Sequence, residues 1–384
     1  AALAGHASVR EVIGAPRVSL IRPPRHAPAG DGANAAAAAA DGETWGIRRL
    51  GVRELWDQGL TGAGVLVGHL DTGVDGAHPA LGGAIRSFAR FDDLGDQDPN
   101  PGLPFDTAWH GTHTAGTIAG RRVAGQPAFG VAPGAELASA IIIEGGDVVA
   151  RILGGMDWAV EQGVRVLNMS LGLRGFTEDF LSLTQILRAR NILPVFAVGN
   201  EGPGTSRSPG NYAEALSVGA IEEAEGDAMW PDSSSGRFVR DVDPIVPDLV
   251  APGAAVLSSM PGGRFGLSWG TSMATPHVAG LAALLFEAAP DATASQVEAA
   301  ILASCIRPAS LSADRANRGV PDGPRALAAL VPGRAAGVGK GGPGSTSGPP
   351  VSGGAGVSPP SPLAAPPSPA EHDERRHTRR GGKS

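Results

Sequence analysis

Apolar positions along this chain follow two rhythms. Largely apolar runs of β type occur at Val65 to Leu70, Leu137 to Ile143, Val164 to Gly172 and Ile192 to Val198. Between them, Val148 to Gln162 carries Ile152, Leu153, Met156 and Val160 on one helical face, and Phe180 to Arg190 reads as a further helix. Strands that are apolar throughout are buried on both faces, and their alternation with helices predicts a parallel sheet covered on both sides. Gly130 to Ala135 reads as the turn into the second strand. Trp45, Ile47, Leu50, Val52, Leu55 and Trp56 have helical spacing and lead into Gly59-Leu60-Thr61-Gly62. Ala294 to Ser304 and Gly323 to Leu330 read as closing helices, and Phe238 to Val246 as a less ordered polar stretch.

The most apolar helical pattern begins after Ser272. Ala274, Val278, Leu281, Ala282 and Leu285 recur with almost no charge before Glu287, so this helix should cross the middle of the core. Ser272 then sits in its first turn, where unpaired N–H groups and the helix dipole can stabilise a developing oxyanion. Taken alone, a serine before an apolar run is an ordinary helix N-cap.

Its surroundings change that reading. Gly270-Thr271-Ser272-Met273-Ala274-Thr275-Pro276-His277-Val278-Ala279-Gly280 resembles the nucleophile motif of the subtilisin family of serine proteases. Upstream, Asp71-Thr72-Gly73-Val74-Asp75 with His78-Pro79 resembles that family's Asp motif, and His110-Gly111-Thr112-His113 through Gly120 resembles its His motif. The order Asp, His, Ser is the family's own. The resemblance covers roughly Trp45 to Leu330 and implies a three-layer α/β/α subtilisin-like fold with a mostly parallel central sheet.

The chemistry requires these residue types. A serine hydroxyl is a poor nucleophile at neutral pH, so His110 must take its proton and return it to the leaving amine. Asp71 would orient the ring through Nδ1–H and stabilise the imidazolium. The resemblance assigns the catalytic role to His110; His113, His78 and His277 are read as structural and Asp75 as a turn cap. By the same resemblance Asn200 supplies the oxyanion-hole amide. Ser170, Leu171 and Gly172 form one wall of the P1 pocket and pair with the substrate backbone, while Ala197, Val198 and Gly199 form the other. These walls carry no fixed charge, which favours apolar P1 residues, and Glu201 at the rim would admit some basic ones. The function implied is a serine endopeptidase of broad specificity acting through an acyl-enzyme. The alternatives are a maturation protease for one precursor and a catalytically silent homologue that binds peptides.

The ends of the chain differ from its middle. The 384 residues suffice for one large domain. Residues 1 to 26 look like the tail of an inhibitory propeptide. Residues 27 to 44, rich in Pro, Gly and Ala, read as a flexible linker holding a processing site, and the catalytic domain is assigned to 45–331. Residues 332 to 384 turn to Gly, Pro and Ser with a basic end and read as a disordered tail. The chain does not start with Met and is read as trimmed or processed, with secretion a family expectation. A net charge of -7 gives no reason to expect nucleic acid or an anionic membrane, and no run is long enough to span a bilayer. The lone Cys305 excludes an intrachain disulfide and is expected to be a buried apolar residue on a helix. The expected partners are a protein or peptide substrate and the chain's own propeptide, with the protein monomeric. No cofactor is needed for such catalysis. Asp92, Asp93, Asp96, Asp98 and Asp106 offer hard oxygen ligands that would suit calcium, but their spacing is not that of an EF-hand, so the segment is read as a solvated acidic loop without an assigned metal. Arg121 and Arg122 stand where many relatives place a calcium loop.

Overall fold

The computed structural model describes residues 26–28 (backbone only), 42–145, 148–238 and 243–333. The proposed propeptide remnant, most of the linker and nearly all of the tail therefore lie outside the described residues. The described residues all fall in a single unit of the chain, 1–337.

A parallel sheet runs through this unit. Its strands are β1 (Leu66–Asp71), β2 (Ile85–Arg90), β3 (Glu136–Ile141), β4 (Val166–Met169), β5 (Leu193–Ala197), β6 (Leu216–Glu222), β7 (Ala228–Met229) and β8 (Leu249–Pro252). The spatial order is β7-β6-β5-β4-β1-β3-β2, with β8 also pairing with β6. All pairs are parallel except the short β7 against β6. Strands β1, β3, β4 and β5 match the apolar runs. β2, β6 and the hairpin β9 (Val256–Met260) to β10 (Arg264–Ser268) were not anticipated, because their apolar residues are interrupted by Arg, Ser and Gly. Residues His26–Pro28 pair antiparallel with β10.

Helices cover both faces: α1 (Trp45–Arg49), α2 (Val52–Asp57), α3 (His110–Ala119), α4 (Val148–Glu161), α5 (Leu181–Ala189), α6 (Thr271–Ala288), α7 (Ala294–Ser304) and α8 (Gly323–Leu330). The single helical pattern from Trp45 to Trp56 is split because Gly51 adopts φ 63°, which ends one helix and starts the next. Thr293 and Gln296 form a reciprocal capping box that starts α7. Cys305 caps the end of α7 rather than lying on it; it is only partly buried, and burial pushes its thiol up to about 12. The stretch expected to be less ordered ends in a short strand, Ile245–Val246, which pairs antiparallel with Gly236–Arg237 just before it.

Two cores result from the strand period of two. Val67, Val166, Val195 and Val218 pack with α6, which is buried from Thr271 to Phe286, while Leu70, Leu167, Met169 and Phe196 pack in the core under α4 and α5. The chain runs from β1 through β2 and β3 on one side and then crosses to β4, β5 and β6 on the other. The carboxyl end of β1 is therefore a topological switch point, where open α/β sheets leave a crevice. Asp71 is the last residue of β1.

Candidate active site

Helix α3 starts at His110 with no cap from Trp109, so its first N–H groups need partners from elsewhere. Gly111 N donates to Thr72 Oγ1 at 2.9 Å, and Thr112 N donates to Asp106 Oδ2 at 2.7 Å. Asp106 Oδ1 also accepts from Thr72 Oγ1 at 2.7 Å, tying the helix start to the residue after Asp71. A Cβ on Gly111 would fall 1.9 Å from the Gly73 carbonyl, so only glycine allows this approach. Sequence reading placed Asp106 in the acidic loop and missed this role; an Asp shortly before a helix start was the available signal.

The result is a buried pair in which His110 Nδ1 lies 2.7 Å from Asp71 Oδ1. Thr72 N donates to the same oxygen at 2.8 Å, and Thr114 Oγ1 donates to Oδ2 at 3.2 Å. Burial disfavours the Asp71 carboxylate, but the adjacent His110 outweighs it and holds the carboxyl below its usual range. An ionised carboxylate can only accept, so Nδ1 carries the proton. Burial opposes the charged form of His110 too, yet the Asp71 charge and hydrogen bond raise it above the ordinary histidine value.

Ser272 is the second residue of α6, and its hydroxyl donates to the Ser170 carbonyl at 3.1 Å. His110 Nε2 is buried without a hydrogen-bond partner, as is Asn200 Nδ2. The other end of the Asn200 amide is fixed: Oδ1 accepts from Thr271 N at 3.0 Å and Thr271 Oγ1 at 2.8 Å. Gly270 (φ 143°) makes room, since a Cβ there would lie 2.9 Å from Nδ2. His110 thus keeps an unpaired base nitrogen and Asn200 an unpaired amide donor, while Ser272 holds its hydroxyl in the first turn of α6.

Ser170, Leu171, Ala197 and Val198 are buried, with Gly172 and Gly199 continuing their two segments. The space between the two glycines is filled. The Arg207 side chain comes within 3.1 Å of where a Cβ on Gly172 would sit and 3.2 Å of one on Gly199. Arg207 Nε donates to Glu201 at 2.9 Å, its Nη2 donates to the same carboxylate, and Nη1 donates to the Gly172 carbonyl at 2.7 Å. Burial works against the Glu201 charge, but Arg207 outweighs it and keeps the carboxyl low. Glu201 is thus neutralised, not a free acid at the rim. A lone arginine in a Ser/Gly/Pro segment gave no pattern from which this could be read.

The other histidines of the three motifs hold backbone. His113 Nε2 lies 3.0 Å from the Val256 carbonyl, His277 Nδ1 2.8 Å from that of Met273, and His78 Nε2 2.8 Å from that of Arg264. Burial lowers His113 to about 3 and His277 to about 4. Asp75 accepts from Ala77 N and Gly262 N. Among the described residues, no group of three or more His, Cys, Asp or Glu is arranged to hold a metal ion. In the acidic loop Asp92 Oδ1 accepts from Leu94 N and Asp96 N, Asp98 from Asn100 N, and Asp93 pairs with Arg151. Arg121 occupies the stretch after α3 and donates to the carbonyls of Ala119 and Ala135.

The family model for the subtilases matches residues 62–337. M-protease of Shouchella clausii (strain KSM-K16) is 38% identical over 250 residues, covering 64% of this chain and 60% of that protein. Subtilisin Savinase of Lederbergia lenta is also 38% identical over 250 residues, covering 64% of this chain and 85% of its own. Fervidolysin from Fervidobacterium pennivorans, described as a keratinolytic enzyme related to subtilisin, superposes with a TM-score of 0.66 at 26% identity over 81% of this chain and 51% of its own. The chain thus spans less than two thirds of M-protease and about half of fervidolysin. With a mostly parallel sheet in which an interior strand ends in Asp71, and with the family match running through the His110 and Ser272 helices, this chain belongs to the subtilase family.

Proposed function

We propose that this protein is a serine endopeptidase in which Ser272 is the nucleophile, His110 the general base and acid, and Asp71 the group that orients His110. One observation carries the reading: His110 Nδ1 is committed to Asp71 at 2.7 Å while Nε2 is left buried and unpartnered. Rotation of the Ser272 hydroxyl away from Ser170 brings its proton to Nε2 as Oγ attacks the scissile carbonyl. Asn200 Nδ2 and the Ser272 backbone N–H receive the oxyanion. Collapse expels the amine, protonated by His110, and leaves an acyl-enzyme that water hydrolyses by the reverse proton path.

The pocket supports an uncharged P1 residue. Arg207 fills the space between the walls and cancels Glu201, so basic P1 side chains lose the partner that a free Glu201 would offer. The segment Ser170 to Gly172 pairs with the substrate backbone. The propeptide over 1–26, a processing site within 27–44, secretion and a monomeric state remain part of this proposal. Among the described residues, no helix is long and apolar enough to cross a membrane.

Incubation with several unrelated denatured proteins, wild type beside Ser272→Ala, tests the reading. Cleavage of all of them by wild type alone supports a broad endopeptidase. Cleavage by neither variant, after removal of residues 1–41, contradicts it.

A further inference from the structure

Strand β1 puts His69 and Asp71 on the same face, because side chains alternate along a strand. Helix α3 puts His110 and Thr114 on one face, a turn apart. The two pairs meet. Asp71 takes His110 on Oδ1 and Thr114 on Oδ2, and His69 Nε2 lies 2.8 Å from Thr114 Oγ1. His69 Nδ1 lies 2.9 Å from Ser139 Oγ, on the residue directly opposite it in β3. His69, Ser139 and Thr114 are all fully buried, and no step of the mechanism uses them.

Thr114 has one hydroxyl proton and several acceptors within reach: Asp71 Oδ2, the carbonyls of His110 at 3.2 Å and Gly111 at 3.1 Å, and, in one tautomer, His69 Nε2. The His69 tautomer therefore decides where that proton can go. If Nε2 carries the hydrogen, His69 donates to Thr114, Ser139 donates to Nδ1, and the Thr114 proton stays free for Asp71. If Nδ1 carries it, Thr114 donates to His69 and Oδ2 is left bare.

We propose that His69 and Thr114 are positioning residues for the catalytic carboxylate: His69, protonated on Nε2 and held by Ser139, directs the Thr114 hydroxyl onto Asp71 Oδ2 and so fixes which oxygen faces His110. This rests on the triad reading given above. Burial keeps His69 below the ordinary histidine range and hence neutral, as a relay of this kind requires. The hydroxyl also draws charge from the carboxylate, which tempers the attraction of Asp71 for the protonated form of His110. The other titratable groups facing His110 are His69 itself on β1, Asp106 before α3 and His113 within it; His277 on α6 faces His113.

The test is side-chain NMR of the full chain with Ser272→Ala, which prevents self-digestion and reads histidine states without needing activity. The ¹⁵N shifts of His69 should show Nε2 protonated and Nδ1 bare. Thr114→Val should raise the His110 titration midpoint by about half a pH unit, and Thr114→Ser should restore it. In the active chain the acid limb of kcat/KM should move by the same amount. A merely structural Thr114 would change stability but not the midpoint. Protonation of His69 on Nδ1 overturns the proposal, as does a His110 midpoint unmoved to within about 0.1 unit by a folded Thr114→Val. Should Thr114→Val fail to fold, the His69 tautomer still decides. Covalent labelling of Ser272 reports on the triad reading separately, so the two can fail independently.

Discussion

Ser170 and Ser272 are bonded to each other in both directions. The Ser272 hydroxyl donates to the Ser170 carbonyl at 3.1 Å, and the Ser170 hydroxyl donates to the Ser272 carbonyl at 3.0 Å. The second bond is available because of Pro276. In a regular helix the Ser272 carbonyl would accept from the N–H four residues on, but proline has none. The segment proposed to pair with substrate is thereby fastened to the turn that carries the proposed nucleophile.

Ser170→Ala should therefore leave a buried carbonyl unsatisfied and lower unfolding free energy by about 1 to 3 kcal/mol. Pro276→Ala returns an N–H to that carbonyl, so the double variant should be less destabilised than the sum of the singles, by about 0.5 kcal/mol or more. Urea unfolding of the four proteins, in an inactivated Ser272→Ala background, measures this. Strict additivity would show that the two residues do not share the carbonyl.

Asn200→Ala removes the unpartnered amide donor while Thr271 loses only an acceptor. We expect kcat to fall about 10²- to 10³-fold with KM little changed, a magnitude taken over from oxyanion-donor removal in subtilisin itself. Steady-state kinetics on a peptide substrate checks it. A fall in KM-limited binding with kcat intact would place Asn200 outside the oxyanion hole.

Arg207→Ala opens the space between Gly172 and Gly199, the proposed P1 walls, and frees Glu201. Its kcat/KM for peptides with Lys or Arg at P1 should rise by about tenfold or more relative to Leu at P1. Since Arg207 is almost wholly buried, the variant should also lose stability, by about 3 to 5 kcal/mol if Arg174, 3.7 Å from Glu201, does not take its place. An unchanged Lys-to-Leu ratio in a folded variant would mean that the pair does not border P1.

Stability should fall on acidification before the carboxylates titrate. His113 and His277 are lowered by burial, to about 3 and about 4, so the unfolded chain binds protons that the folded chain refuses. Their contribution is complete above the unfolded value near 6.5 and is lost as pH drops towards those values. Each should cost up to about 1.4 kcal/mol per pH unit in that window. Unfolding measured between pH 7 and 5 checks the slope, and His277→Phe should reduce it by roughly one proton at the acid end.

The parts of this account that were readable beforehand are the ones carried by periodicity and by contiguous strings. The four most apolar strands, the α6 core helix and the pairing of Asp71 with His110 all depend on residues close in sequence or on motif strings. β2, β6 and the β9–β10 hairpin were not legible, because polar and glycine residues interrupt their pattern and only long-range pairing makes them strands. Asp106 was misplaced for a similar reason: its value lies in capping α3 and holding Thr72, two contacts that a composition of acidic residues hides. Arg207 acts through Glu201 and the distant Gly172 carbonyl, and His69 through partners on other elements. No local spacing announces the Glu201–Arg207 ion pair packed against Gly172 and Gly199, or a buried histidine behind the Asp71 carboxylate.

The central claim is that Ser272 is an activated nucleophile, and reaction with a fluorophosphonate probe tests it most directly. Mass spectrometry should find one adduct, on Ser272, at neutral pH, absent from Ser272→Ala and strongly slowed in His110→Ala. Absence of any adduct, both in the full chain and after removal of residues 1–41, would contradict the account and leave a peptide-binding protein in its place.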